Sequence, residues 1–197
     1  MLNTSDHIKV YENVLTLPAL SSLIRSLNYL YDKNLFEPGK VLAENPGQQL
    51  APSIRDVMLK TLDNCENSIT SQHWGNLLKA VFSNALKEYR KEYNVDYLSY
   101  NKILEVTALR YQQSQHYGVH TDDHWTIPRT LSLIYMLNND YEGGSLKFYV
   151  PGSKTEILKE IETKANQLIV WPSNFIYPHT VTPVTKGIRW VIVSWIR

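Results

Sequence analysis

Apolar positions follow two different rhythms along this 197-residue chain. In the first hundred residues they recur at intervals of three and four. Leu20, Leu23, Ile24, Leu27 and Leu30 do so in PALSSLIRSLNYLY, and Leu77, Leu78, Val81, Phe82, Leu86 and Tyr89 in WGNLLKAVFSNALKEYRKEY. That interval lines one face of an α-helix, so each stretch predicts a helix. A further helix is expected within SIRDVMLKTLDN, and a short alternation, IKVYENVL, precedes the first helix. Between them FEPGKVLAENPGQQLAPS has paired turn signals and little periodicity. It predicts a loop, with residues 35–52 a candidate rim or lid.

After Asn101 the rhythm changes to short runs rich in β-branched and aromatic residues: ILEVTALRY, RTLSLIYMLN, GSLKFYV, NQLIVW, HTVTPV and RWVIVSWI. TEILKEI reads either as one more strand or as a short helix, because Glu, Lys and Leu favour helices. So many short strands predict a β-sandwich or barrel with helical support supplied mainly by residues 1–100, all within one domain. No glycine fingerprint of a dinucleotide fold and no phosphate-binding loop occurs.

Composition narrows the function classes. Twenty basic against 19 acidic side chains give a net charge of +1, which offers no general attraction to nucleic acid or lipid. Thirteen tyrosines and 5 tryptophans suit a pocket or a peptide-binding face. Cys65 is the single cysteine, so an internal disulfide and any multi-cysteine metal site are excluded. With no basic region followed by an apolar run at the start, and nowhere 18 apolar residues together, the protein is expected to be soluble, cytoplasmic and in a reducing compartment.

The chemistry concentrates in YGVHTDDHW, residues 117–125. Residues two apart on a strand face the same way, so His120 and Asp122 can offer an imidazole and a carboxylate to one cavity. A third ligand could be His116 or His124, which share that parity, or His179, which follows an apolar strand and a turn in WPSNFIYPHTVTPV. Two His and one carboxylate make the facial triad of non-haem ferrous sites, with coordination positions left open. Arg189 opens the last apolar strand, where an inward guanidinium can grip a carboxylate through two hydrogen bonds. The plainer readings are a polar strand end and a strand-edge arginine, both in water.

Taken in order, ALRYQQSQHYGVHTDD, RTLSLIYMLNNDYEGGSLKFY, NQLIVWPS and PHTVTPVTKGIRWVIVSW resemble the 2-oxoglutarate and Fe(II)-dependent oxygenases, especially their prolyl hydroxylase-like branch. The resemblance runs from about residue 101 to the C-terminus. YENVLTLPALSSLI is similar, less specifically, to their entry segment. The fold it implies is mostly β with supporting helices (α+β), a cupin-like double-stranded β-helix or jelly roll. It implies His120, Asp122 and His179 as iron ligands and Arg189 as partner of the distal 2-oxoglutarate carboxylate, with Tyr111 lining the cosubstrate pocket. Tyr117 would line the entrance and Arg129 would meet a protein substrate. Gly143 and Gly144 fit a family turn before a core strand.

Departures from the family pattern are Asn166, where a glycine is common, and Met136, where some relatives present a polar group to the cosubstrate. Asp123 and His124 add polarity beyond the HxD pair, either to tune substrate entry or simply to meet water. The implied reaction couples oxidative decarboxylation of 2-oxoglutarate, with O2 as second cosubstrate and ascorbate as an accessory reductant, to hydroxylation of a peptidyl proline or similar protein side chain. Alternatives are an oxygenase acting on a nucleobase or small molecule, and a non-catalytic β-sandwich that binds a ligand or a protein partner.

Overall fold

A computed structural model describes residues 3–42, 48–63, 68–95, 102–123 and 128–197. The first helix, α1 (Leu17–Asp32), carries Pro in its first turn and buries Leu20, Leu23, Leu27 and Leu30 along one stripe. The second, α2 (Ile69–Tyr93), starts at Ser68, whose side chain accepts the Ser71 N–H, and stops at Asn94 in the left-handed conformation (φ 52°). Its buried stripe includes Trp74, Leu78, Phe82, Leu86 and Tyr89, while Leu77 and Val81 are only partly covered.

The strands in chain order are β1 (Lys9–Tyr11), β2 (Glu37–Pro38), β3 (Val41–Leu42), β4 (Gln48–Gln49), β5 (Arg55–Asp56), β6 (Met58–Thr61), β7 (Ile103–Tyr111) and β8 (His116–His120). They continue with β9 (Leu131–Met136), β10 (Glu142–Gly143), β11 (Leu146–Tyr149), β12 (Ile157–Ile161), β13 (Gln167–Pro172), β14 (His179–Val181), β15 (Val184–Lys186) and β16 (Arg189–Ile196). Seven of them form a sheet in the order β1-β13-β9-β16-β7-β6-β2, and five a second sheet, β12-β11-β14-β8-β5. This is the jelly-roll architecture that the resemblance implies.

Strand parity divides the larger sheet into two faces. Ala108, Leu133, Tyr135, Leu168, Val170, Trp190 and Ile192 pack against the leucines of α1 and the stripe of α2. Each such leucine contributes about 1.5–3 kcal/mol over exposure. The alternate residues Leu109, Tyr111, Ile134, Met136, Ile169, Trp171 and Val191 face inward and meet Leu146, Phe148 and Val181 of the smaller sheet. The helices thus back one sheet and leave the space between the sheets for a site.

Two local expectations are corrected. SIRDVMLKTLDN forms strands β5 and β6 instead of a helix. Met58–Thr61 pairs antiparallel with Thr107–Arg110 of β7, and Arg55–Asp56 with His116–Tyr117 of β8. Ladder pairing and the burial of Val57 override a weak helical preference. The segment expected to be loop, residues 36–53, contains the short strands β2, β3 and β4 among its described residues, and positions 43–47 lie outside them. TEILKEI resolves as strand β12, paired to β11. Among the described residues no helix is long and apolar enough to cross a membrane.

Candidate active site

His120 ends β8, His179 opens β14, and the two are direct register partners across the smaller sheet. Asp122 lies two residues beyond the end of β8, so a turn delivers it to the histidines, and strand parity does not. Its Oδ1 lies 3.7 Å from His120 Nε2 and its Oδ2 3.6 Å from His179 Nε2. These separations are too long for good hydrogen bonds, and one ligand atom from each residue lies within 4.8 Å of the others. Such spacing suits an ion between them.

The imidazoles are set for that role by their other nitrogen. His120 Nδ1 donates to the Gly118 carbonyl at 2.8 Å and His179 Nδ1 to the Tyr177 carbonyl at 3.0 Å. A carbonyl can only accept, so Nδ1 carries the proton of each neutral ring and the Nε2 lone pair is left facing Asp122. Tyr117 stacks on His120 with centroids 3.6 Å apart and planes 17° from parallel, and the Arg55 guanidinium lies 4.8 Å from the Tyr117 ring centroid in turn. Phe148 and Trp171 pack on His179.

Burial, followed by the neighbouring His179, pushes the His120 pKa down to about 3, which keeps the ring neutral and able to bind a cation. Burial alone would raise Asp122, but His179, His120, a hydrogen bond from Ser132 and the Arg129 guanidinium hold its carboxyl below the usual range. The site therefore presents a neutral His120 imidazole and the Asp122 carboxylate, the protonation state a divalent metal needs of them.

Arg189 is fully buried. Its Nη2 reaches only the Met136 sulfur at 3.5 Å, and its Nε and Nη1 have no acceptor among the described residues. The guanidinium lies 5.1 Å from the centroid of Tyr111, its register partner on β7. A buried cation with unsatisfied donors is costly by several kcal/mol, and a carboxylate would relieve it bidentately. Tyr111 also lines an inner cavity with Leu146, Trp171, Val181 and all of His120, Asp122 and His179. Met136 faces inward, so the expected substitution of a polar group by a thioether does stand at this position.

A second, outer cavity of about 340 Å³ opens on His120 and Asp122 and is lined by Tyr117, Arg129, Asp123, Arg55, Glu105 and Trp195, among others. Residues Glu37, Pro38, Lys40 and Val41 of the candidate rim border it too. Arg129 is already engaged there. Its guanidinium lies 3.8 Å from the Trp195 ring centroid and its Nη1 donates to the Asp122 carbonyl at 3.1 Å. His116 points elsewhere, with its ring nitrogens 3.3 Å from the carbonyls of Ser114 and Ser53. His124, the remaining candidate ligand, lies outside the described residues.

Sequence reasoning missed Arg55 and Ser132. Arg55 borders both cavities but was hidden inside the stretch read as a helix. Ser132 had a usable signal: it is a lone polar residue in the apolar run RTLSLIYM, at the inward parity of its strand.

The profile of the 2OG-Fe(II) oxygenase superfamily matches residues 106–197, which carry the triad and Arg189. That segment, just under half of the chain, is similar to the superfamily over the whole of its candidate site. A PKHD-type hydroxylase of Gloeothece citriformis is 33% identical over 102 residues, covering 49% of this chain and 44% of that one. A PKHD-type hydroxylase of Idiomarina loihiensis is 32% identical over 103 residues, 49% of this chain and 43% of that one. The matched segment thus spans less than half the length of these curated relatives.

Among solved structures, a Trichoplax adhaerens prolyl hydroxylase in complex with a hypoxia inducible factor oxygen degradation domain peptide fragment superposes with a TM-score of 0.75. It covers 98% of this chain and 84% of that one at 18% identity. A Pseudomonas putida prolyl-4-hydroxylase gives 0.71, over 97% and 92%, also at 18% identity. At such identity these likenesses speak to the fold.

Proposed function

We propose that this chain is a non-haem Fe(II) dioxygenase that hydroxylates a peptidyl proline or a similar protein side chain at the expense of 2-oxoglutarate. His120, Asp122 and His179 would hold the iron, and Arg189 the distal carboxylate of the cosubstrate. The observation that carries this reading is the fully buried Arg189, whose Nε and Nη1 lack an acceptor among the described residues and whose neighbour Tyr111 lines one cavity with the His–Asp–His cluster. A plain β-sandwich binding module has no use for that pairing.

When bound, ferrous iron with 2-oxoglutarate and O2 supplies the oxidising chemistry, and the protein supplies binding and orientation. One oxygen atom ends in the substrate hydroxyl and the other in succinate, as 2-oxoglutarate loses CO2. Two imidazoles and one carboxylate leave coordination positions open. Arg189 and Tyr111 orient the cosubstrate at the inner end. The apolar walls Leu109, Ile134, Leu146 and Val181 keep water from the reacting centre. The outer cavity, bordered by Tyr117 and Arg129, takes the target side chain. Ascorbate would restore ferrous iron after unproductive turnover. A cytoplasmic, reducing setting fits both the single cysteine and an oxidation-prone metal.

The substrate class draws support from the prolyl hydroxylases that share the fold and from the hydroxylases that share the sequence. The test is a peptide array supplied with anaerobically prepared protein, Fe(II), 2-oxoglutarate and O2, read by mass spectrometry. Wild type is expected to add one oxygen to a peptide, and Asp122→Ala none. Failure of the wild-type protein to bind a divalent metal and 2-oxoglutarate together would overturn the reading.

A further inference from the structure

Arg55 is neither a candidate metal ligand nor a neighbour of Arg189, yet it borders both cavities. It opens β5, and its guanidinium lies 4.8 Å from the centroid of Tyr117, whose ring stacks on His120 at 3.6 Å. The cation thus stands two layers from a candidate iron ligand. Arg129 approaches the same cluster from the Asp122 main chain, with its plane laid over Trp195, and it lines the outer cavity together with Arg55.

Both guanidiniums are held without being satisfied. Each spends Nη1 on one main-chain carbonyl, that of Lys40 for Arg55 at 2.9 Å and that of Asp122 for Arg129 at 3.1 Å. Each has a buried Nε with no acceptor among the described residues. Neither stands in an ion pair among those residues. The edge formed by Nε and Nη2 is one that a carboxylate meets with two hydrogen bonds, and on both side chains it carries no bond among the described residues. Stacking on Tyr117 and Trp195 fixes both planes beforehand, so little freedom is lost when an anion arrives. Glu37, Glu105 and Asp123 also border the cavity, but they are exposed and water screens them. The half-buried cations are screened less and bias the cavity towards an anion.

We propose that Arg55, acting with Arg129, selects a substrate that carries a carboxylate close to the carbon to be hydroxylated, supplied by an Asp or Glu side chain of an acidic protein segment. The separation of Arg55 from His120 matches a side chain about two residues from the target along an extended peptide. The inference rests on the reading of the outer cavity as the place of the target side chain. The competing explanation is that Arg55 merely braces the rim through the Lys40 carbonyl and the Tyr117 ring. Bracing predicts that loss of Arg55 weakens all peptides alike, with no dependence on their charge.

The experiment uses protein loaded with Mn(II) and 2-oxoglutarate, and a library of terminally blocked proline peptides that carry Asp, Asn or Lys at each neighbouring position. Binding is read by fluorescence anisotropy at low and high salt, with thermal unfolding measured alongside. Wild type is expected to bind the best Asp peptide about tenfold more tightly than its Asn counterpart, as a charge-assisted pair should exceed a neutral one. The Lys counterpart should bind more weakly still, and the preference should shrink as salt rises. Arg55→Gln and Arg129→Gln should each reduce it, and Arg55→Glu should turn it towards Lys, a reversal that bracing cannot produce. Equal affinity for Asp, Asn and Lys peptides, or no peptide binding, in wild type that holds Mn(II) and 2-oxoglutarate overturns the selection and leaves the oxygenase reading standing. That outcome needs wild type only, so it holds even where a variant fails to fold. An Asp preference that survives both glutamine variants overturns the assignment to these arginines. Free proline bound as tightly as the best blocked Asp peptide overturns the protein source, because the carboxylate would then come from a small molecule. Failure to hold Mn(II) and 2-oxoglutarate brings down the oxygenase reading and this inference with it.

Discussion

The Cβ that Gly144 lacks would stand 2.8 Å from Cδ of Arg189. The backbone there is left-handed, at φ +61°, so a side chain would be disfavoured even in open space. Since Arg189 is fully enclosed, its stem has nowhere to yield. Gly144 therefore acts as the floor against which the guanidinium is laid, beyond the turn-forming role expected of it.

Gly144→Ala should accordingly do two things at once. The left-handed conformation costs about 1–2 kcal/mol of stability, and displacement of Arg189 should weaken 2-oxoglutarate binding about tenfold, or about 1.4 kcal/mol. Denaturant unfolding reads the first and calorimetric titration of the Mn(II)-loaded protein the second. Unchanged 2-oxoglutarate affinity would show that the cosubstrate does not depend on how Arg189 is seated.

How far the sequence revealed this site depended on whether the fold or a turn places each residue. His120 and His179 lie in regular strands, and their meeting follows from strand order once the sandwich is assumed. Asp122 was grouped with them by parity, yet it is reached by a turn beyond β8. The grouping came out the same for a different geometric reason. Arg55 was invisible because helix periodicity in SIRDVMLKTLDN could not be separated from an edge-strand pairing, which depends on β8, far along the chain. Asn166 was legible in its backbone, since Asn tolerates a left-handed turn and φ is 66° there. Its side-chain contacts, which lie far away in sequence, were not.

Replacing Arg189 with Met removes a buried charge that has no carboxylate partner among the described residues. In the absence of ligand the variant should be neutral or more stable, by about 1–3 kcal/mol, because the lost guanidinium was poorly satisfied and Met fills a similar volume. With Mn(II) present, 2-oxoglutarate at a hundred times its dissociation constant should stabilise wild type by about 2.7 kcal/mol and the variant not at all. Thermal unfolding with and without the ligand measures both effects. A ligand-free variant that is markedly less stable would mean that Arg189 is a structural cation and not one held ready for a ligand.

Alkaline pH should unfold the protein through its tyrosines. Burial is the largest cause that raises the pKa values of Tyr89, Tyr135, Tyr11, Tyr111 and Tyr117 above the ordinary 10.0. The unfolded chain then loses these protons first, so their contribution is intact below pH 10 and is lost as pH rises beyond it. The urea midpoint should hold steady towards pH 10 and fall above it, with tyrosinate absorbance appearing together with unfolding. Tyr11→Phe should soften that fall at little cost at neutral pH, since the Tyr11 hydroxyl is buried without a hydrogen-bond partner among the described residues. Tyrosinate absorbance that develops well before unfolding would contradict this account.

Asn166→Gly is the sharpest test of the one position where the chain departs from a common family glycine. Conformation alone predicts that glycine is harmless or better, because it adopts φ 66° without strain. The side-chain contacts predict the opposite. Asn166 Oδ1 accepts the Leu15 N–H at 2.9 Å and the Tyr135 hydroxyl at 2.7 Å, and Nδ2 donates to the Leu15 carbonyl at 2.7 Å. These bonds fasten the segment that enters α1 onto strands β9 and β13. Glycine keeps the main-chain bonds of Asn166 N–H to Met136 and of Val14 N–H to the Asn166 carbonyl, but it leaves the Leu15 amide and the Tyr135 hydroxyl unpaired in a buried place. The expected loss is about 2–4 kcal/mol, from donors and an acceptor stranded without partners. Asn166→Asp should fall between the two, because it retains an acceptor for Leu15 N–H and Tyr135 while opposing a carboxylate to the Leu15 carbonyl. Urea unfolding of the three proteins gives the order directly. A glycine variant as stable as wild type would show that the turn conformation, and not the bridge to Leu15 and Tyr135, is what this position contributes.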